Sequence, residues 1–118
     1  MDYFRKATPT SPAVIMDSRL KSILISGKSI CRSKNSYSEV VDKILQNLES
    51  SSYTDLNIKL NAFNVPAAKS LLALLRGIKR STHKPSINWV CNAKDQEMME
   101  MGKNFSELLD MKINISAN

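Results

Sequence analysis

The chain has 118 residues, 42% of them hydrophobic and 24% charged, which fits one domain with a real core and excludes a disordered polymer. Its net charge of +6 suits nucleic acid, an anionic membrane or an acidic protein. Lys and Arg are scattered from Arg5 to Lys112, however, without an aromatic-rich strand or Gly-rich loop, which argues against nucleic acid.

No apolar run nears the roughly 20 residues of a membrane span, and Met1 to Pro12 lacks a signal-peptide core. A cytoplasmic, membrane-free protein is expected. Residues 1–12, which include Pro9 and Pro12, read as a flexible lead-in, and 13–118 as the domain. Ala13 to Met16 and Ser22 to Ser26 are short β-rich runs separated by Asp17-Ser18-Arg19, a hairpin closed off at Gly27. Ser36-Tyr37-Ser38-Glu39 is a capping box, whose Ser and Glu side chains satisfy free backbone donors reciprocally. The helix it opens carries Val40, Val41, Ile44, Leu45 and Leu48 on one stripe and ends in Ser50-Ser51-Ser52. Leu56, Ile58, Leu60 and Ala62 then alternate with Asn57, Lys59 and Asn61, a strand buried on one face.

Next comes Phe63-Asn64-Val65-Pro66, the entry to a second helix. Pro66 suits the first helical position and pushes Val65 toward an extended, cap-like backbone. On that reading the valine gives up ~1 kcal/mol of capping relative to threonine. Leu71, Leu72, Leu74, Leu75 and Ile78 supply the buried face, while Lys69, Arg76 and Arg80 line up on a solvated or partner-facing one. After the His83-Lys84-Pro85 turn, Ile87, Trp89 and Cys91 mark a strand. Met98, Met101, Gly102, Phe105, Leu108 and Leu109 recur at helical spacing within Asp95 to Asp110, and Lys112 to Ser116 alternates again. The order ββαβαβαβ predicts an α/β fold, a mixed sheet with helices mainly on one face and Leu71, Leu75 and Trp89 buried.

No catalytic set stands out. His83 is the only histidine and has no nucleophile near it, and Asp95, Glu97 and Glu100 read as solvated helix carboxylates. Cys31 and Cys91 match no metal-ligand spacing and read as reduced thiols. A protein without enzymatic activity, cofactor or metal is expected.

Several stretches together carry a family resemblance: Ile25-Ser26-Gly27-Lys28-Ser29, Asn35-Ser36-Tyr37, Leu60-Asn61-Ala62-Phe63-Asn64, and most specifically Ile87-Asn88-Trp89 with Asp95, Met98, Glu100, Gly102, Phe105 and Leu108-Leu109. From Ser11-Pro12 onward the chain resembles the SiaC family of bacterial biofilm-regulation phosphoproteins, single domains related to the STAS-like, anti-anti-sigma fold. The resemblance implies a switch in cyclic di-GMP signalling. In that switch a threonine of an Asn-Thr-Ser-Ser motif is phosphorylated by a Ser/Thr kinase and dephosphorylated by a PP2C-type phosphatase, and the unphosphorylated form activates a diguanylate cyclase.

Carried over, Asn64 keeps the motif's Asn, Val65 takes the threonine's place, and Pro66 and Ala67 take those of the serines. The resemblance therefore implies a module locked in the unphosphorylated state, with Asn64, Val65, Pro66, Ala67, Lys69, Ser70 and Arg76 as the partner-binding set. Ser70 is the nearest hydroxyl left in that helix and the candidate substitute phosphosite. Two departures accompany this change: the family's Pro-Glu-Asn reads Cys31-Arg32-Ser33-Lys34-Asn35, and its acidic run reads Asn92-Ala93-Lys94-Asp95-Gln96-Glu97. They keep open an alternative, a diverged basic module holding an acidic protein or nucleic acid through Lys69, Arg76, Lys79 and Arg80.

Overall fold

In the computed structural model, residues 3–30, 32, 38–50 and 53–118 are described. The hairpin forms where β-rich runs flank a short polar turn: β2 (Ala13–Asp17) pairs antiparallel with β3 (Ser22–Ser29). Its turn is held by Arg19 N–H donating to Asp17 Oδ1 at 3.0 Å and by Lys21 in the left-handed region, at φ 56°. β3 does not stop at Gly27. The glycine, at φ +113°, carries a bulge with Lys28 that lets the strand run on to Ser29 beside β4.

From β3 the sheet grows in parallel through β4 (Asp55–Phe63), β5 (Ser86–Cys91) and β6 (Ile113–Ala117). The crossovers are α1 (Ser38–Ser50), α2 (Val65–Arg80) and α3 (Gln96–Leu109). The sequence reading leaves residues 1–12 without a strand, but Tyr3–Arg5 forms β1 on the edge next to β2, with Phe4 opposite Ile15. Three residues are too few to show an alternation. The six strands stand in sequential order, β1-β2-β3-β4-β5-β6. Ser36 and Tyr37 of the expected capping box, Ser51, Ser52 and Cys31 lie outside the described residues.

Alternation along the strands and the 3.6 period of the helices bring one apolar face of each together, and the core fills the space between. Met16, Ile23, Leu56, Ile58 and Trp89 come from the sheet, and Ile44, Leu48, Leu74, Leu75 and Ile78 from the helices. Leu71, Leu75 and Trp89 are buried, as the periodicity predicts. Leu108 departs from that expectation and is 63% exposed, because Phe105 and Leu109 already fill the inward side of α3.

Trp89 fixes α3 against the sheet. Its indole N–H donates to the Met98 carbonyl at 2.9 Å, and an approach this close is open only because Gly102 has no side chain. A Cβ at Gly102 would lie 2.7 Å from the Trp89 ring.

The other sheet face carries a row running straight across the strands, from Phe4, Ile15 and Leu24 to Asn57, Asn88 and Asn114. Its three asparagines are linked. Asn88 Nδ2 donates to Asn57 Oδ1 at 2.9 Å, and Asn114 Nδ2 donates to Asn88 Oδ1 at 3.2 Å. No helix of the described residues is long and apolar enough to cross a membrane.

Candidate functional site

The start of α2 is built by the strand that leads into it. Phe63 ends β4 in edge-on contact with Trp89, their ring centroids 6.2 Å apart, and Phe105 stacks edge-on with Trp89 at 5.6 Å. This aromatic group holds the end of β4 in place. Asn64 follows, its backbone N–H donating to the Ser29 carbonyl at 3.3 Å, so the chain leaves the sheet beside the end of β3.

Asn64 is the helix cap. Its backbone is extended (φ −106°, ψ −179°), its Oδ1 accepts from Ala67 N–H at 3.1 Å, and its carbonyl accepts from Ala68 N–H at 2.9 Å. This corrects the placement expected from sequence. Val65 is the first helical residue rather than the cap, Pro66 is the second, and the capping loss ascribed to the valine does not arise. The proline bias remains satisfied, because a helix tolerates Pro anywhere in its first turn.

Val65 is 68% exposed, and Lys69 and Arg76 are exposed beyond it. Asn64 and Pro66 are half-buried. Ala67 and Ser70 are buried, so they support the surface without forming it. The Ser70 hydroxyl donates to the Pro66 carbonyl at 3.3 Å and lines a cavity of about 40 Å³ among Val14, Ile25, Ile44 and Leu74. At 5% exposure it faces the core.

Beside this corner lies a hollow of about 290 Å³ lined by Ile30, Ala62, Phe63, Glu97, Met98 and Met101. Ile30 is anchored by its N–H donating to the Thr10 carbonyl at 2.8 Å, yet its side chain is 42% exposed. Sequence reasoning missed this residue, since it lies past the end of a strand where alternation carries no information.

Of the basic residues on α2, Lys79 is engaged internally. Its Nζ donates to the Leu109 carbonyl in the last turn of α3, where a cation also opposes the negative end of the helix dipole. Lys79 is nonetheless exposed, so the carbonyl takes one of its donors and leaves it at the surface. Lys69, Arg76 and Arg80 are at the surface as well.

A mixed sheet with three crossover helices and an exposed, capped start to the middle one defines a small α/β domain. The chain belongs to the SiaC family: the model for SiaC family regulatory phosphoproteins matches residues 5–118. No curated protein matches it. Three solved structures from Pseudomonas aeruginosa share the fold. One chain of the crystal structure of diguanylate cyclase SiaD in complex with its activator SiaC matches with a TM-score of 0.83 and 18% identity, over 99% of this chain and 100% of that one. Apo-SiaC matches at 0.76 and 19%, over 99% of both chains. A further structure of SiaC matches at 0.79 and 20%, over 100% of this chain and 99% of that one.

Proposed function

We propose that this chain is a non-enzymatic activator module that binds a diguanylate cyclase in the cytoplasm through the exposed start of α2, and that Val65 keeps it permanently in the binding state. The observation that carries this reading is Val65 itself, at the first position of α2 and 68% exposed, where the family resemblance places a phosphorylated threonine. A phosphate there is held by unpaired N–H groups and the positive end of the helix dipole, and its two negative charges alter the docking surface. In this chain the hydroxyl is gone. The surroundings have changed as well: Pro66 has no N–H to offer, and that of Ala67 is taken by Asn64. With Ser70 buried, the corner is closed to the kinase and phosphatase that the family resemblance implies.

The test uses the diguanylate cyclase encoded nearest this gene and the family kinase of the same host. Wild type is expected to bind the cyclase by calorimetry and raise its turnover, equally before and after incubation with kinase and ATP, with no phosphate found on α2 by peptide mass. Val65→Thr/Pro66→Ser is expected to gain phosphate and lose binding. A wild type that gains phosphate and then releases the cyclase sinks the locked reading, and one that never binds any cyclase of its host sinks the activator reading.

A further inference from the structure

α2 is the middle helix of its layer, packed between α1 and α3, and its charge is unlike theirs. It carries Lys69, Arg76, Lys79 and Arg80 and no acid. α1 carries Glu39, Asp42 and Glu49 against Lys43, and α3 carries Glu97, Glu100 and Glu107 against Lys103. Val65, Lys69, Ala73, Arg76 and Arg80 are spaced at i, i+4, i+8, i+11 and i+15, which puts them on one stripe of the helix, and all five are exposed. Among the described residues no carboxylate pairs with Lys69, Arg76 or Arg80; the ion pair that forms, Lys103 with Glu100, lies within α3.

We infer that this stripe is the seat of an acidic protein segment that lies along α2, with an apolar side chain at one end resting on Val65. The inference rests on the interaction-module reading and adds the chemistry of the partner. Two features select a protein segment over nucleic acid. The stripe is one helix face wide, and the helices on either side carry exposed carboxylates, Glu39 and Asp42 on α1, which line a hollow with Tyr3 and Lys43, and Glu97, Glu100 and Glu107 on α3. Those flanking carboxylates repel the broad, uniformly charged backbone of a duplex but leave room for a single segment whose acids point down into the stripe. The stripe also begins with an exposed apolar side chain, Val65, which a phosphate backbone has nothing to cover. Occupant and stripe have matching lengths when the segment is a helix of about 16 residues, ~24 Å at 1.5 Å per residue.

The probe is a labelled helical peptide of about 16 residues, with glutamates spaced to meet Lys69, Arg76 and Arg80 and a leucine at the end that meets Val65. It is compared by fluorescence anisotropy with a scrambled peptide of the same composition and with a DNA duplex of the same length. The full chain is expected to bind the patterned peptide at least about tenfold more tightly than either comparison, with affinity falling as salt rises. Lys69→Glu/Arg76→Glu/Arg80→Glu should weaken that binding by about tenfold or more, since reversing each exposed charge converts an attraction into a repulsion. Lys59→Glu/Lys112→Glu, on the open sheet face and before β6, should leave it unchanged. Far-UV dichroism of each variant establishes that it is folded. Equal binding of the triple variant and wild type overturns the inference, as does a duplex that outcompetes the peptide, or no preference for the patterned peptide over the scrambled one. No cyclase is present in this assay, so its result stands whether or not the activator reading survives.

Discussion

At the level of single residues, the start of α2 separates two jobs that a sequence reading merges at one position. Asn64 caps the helix and Val65 faces the solvent, so the two substitutions should have unlike effects. Asn64→Ala removes the oxygen that accepts from Ala67 N–H and should cost about 1 kcal/mol in urea unfolding. Val65→Thr changes an exposed side chain with no capping duty and should stay within about 0.5 kcal/mol of wild type. If Val65→Thr stabilises as much as Asn64→Ala destabilises, the assignment of the cap is wrong.

Two glycines make a second matched pair. Gly→Ala inside a helix gains up to about 1 kcal/mol when space allows. At Gly77 the new Cβ meets the methyl ends of Leu45 at 2.7–2.8 Å, and these can rotate aside; at Gly102 it meets the Trp89 ring at 2.7 Å, which the Met98 carbonyl holds in place. Gly102→Ala is therefore expected to destabilise by about 1–3 kcal/mol and to shift the tryptophan emission. Gly77→Ala should come out near neutral by the same measurement. Equal losses at the two sites would show that Trp89 is no more rigid than a leucine tip.

At the level of elements, the asparagine ladder links side chains across three parallel strands on the open face of the sheet. Asn88 stands at its centre, donating to Asn57 and accepting from Asn114. Asn88→Ala breaks both links, and the longer one from Nδ2 to Asp55 Oδ1 at 3.4 Å, while leaving the amides half in water, so the expected loss is about 1 kcal/mol, with faster amide exchange in β5 and β6 than in β2. Uniform exchange across the sheet in this variant would deny the ladder any role in joining the strands. The ladder was open to a reader of the sequence. Leu56-Asn57-Ile58, Ile87-Asn88-Trp89 and Ile113-Asn114-Ile115 repeat one apolar-Asn-apolar triplet on three predicted strands, and parallel pairing in register brings the three together. β1 offered no such sign, since its partner and register come from tertiary contact with β2.

At the level of the whole molecule, the periodicities that place the core were legible from Ala13 onward because strands and helices each bury one face. Exposure of Leu108 and the inward turn of Ser70 were harder to foresee. Both lie on helices at positions that period alone leaves at the boundary, where the neighbouring element decides. The family motifs pointed to the corner at Asn64 to Pro66, but which of those residues caps the helix depended on backbone angles that no motif encodes. One continuous core under all three helices, with the single tryptophan at 1% exposure in its middle, implies one cooperative transition. Denaturation followed by Trp89 fluorescence and by far-UV dichroism should give the same midpoint. Two separated midpoints would mean that the β1–β2–β3 side comes apart from the rest as a unit of its own.

The sequential strand order also bears on how the chain is made. Every strand after the first has as its neighbour the strand synthesised just before it. As the polypeptide leaves the ribosome, β4 meets a finished β3, β5 meets β4, and β6 meets β5, each bringing its own covering helix. No strand has to keep an inner edge vacant for a later arrival. Folds whose order doubles back must do so and expose that edge to other nascent chains while they wait.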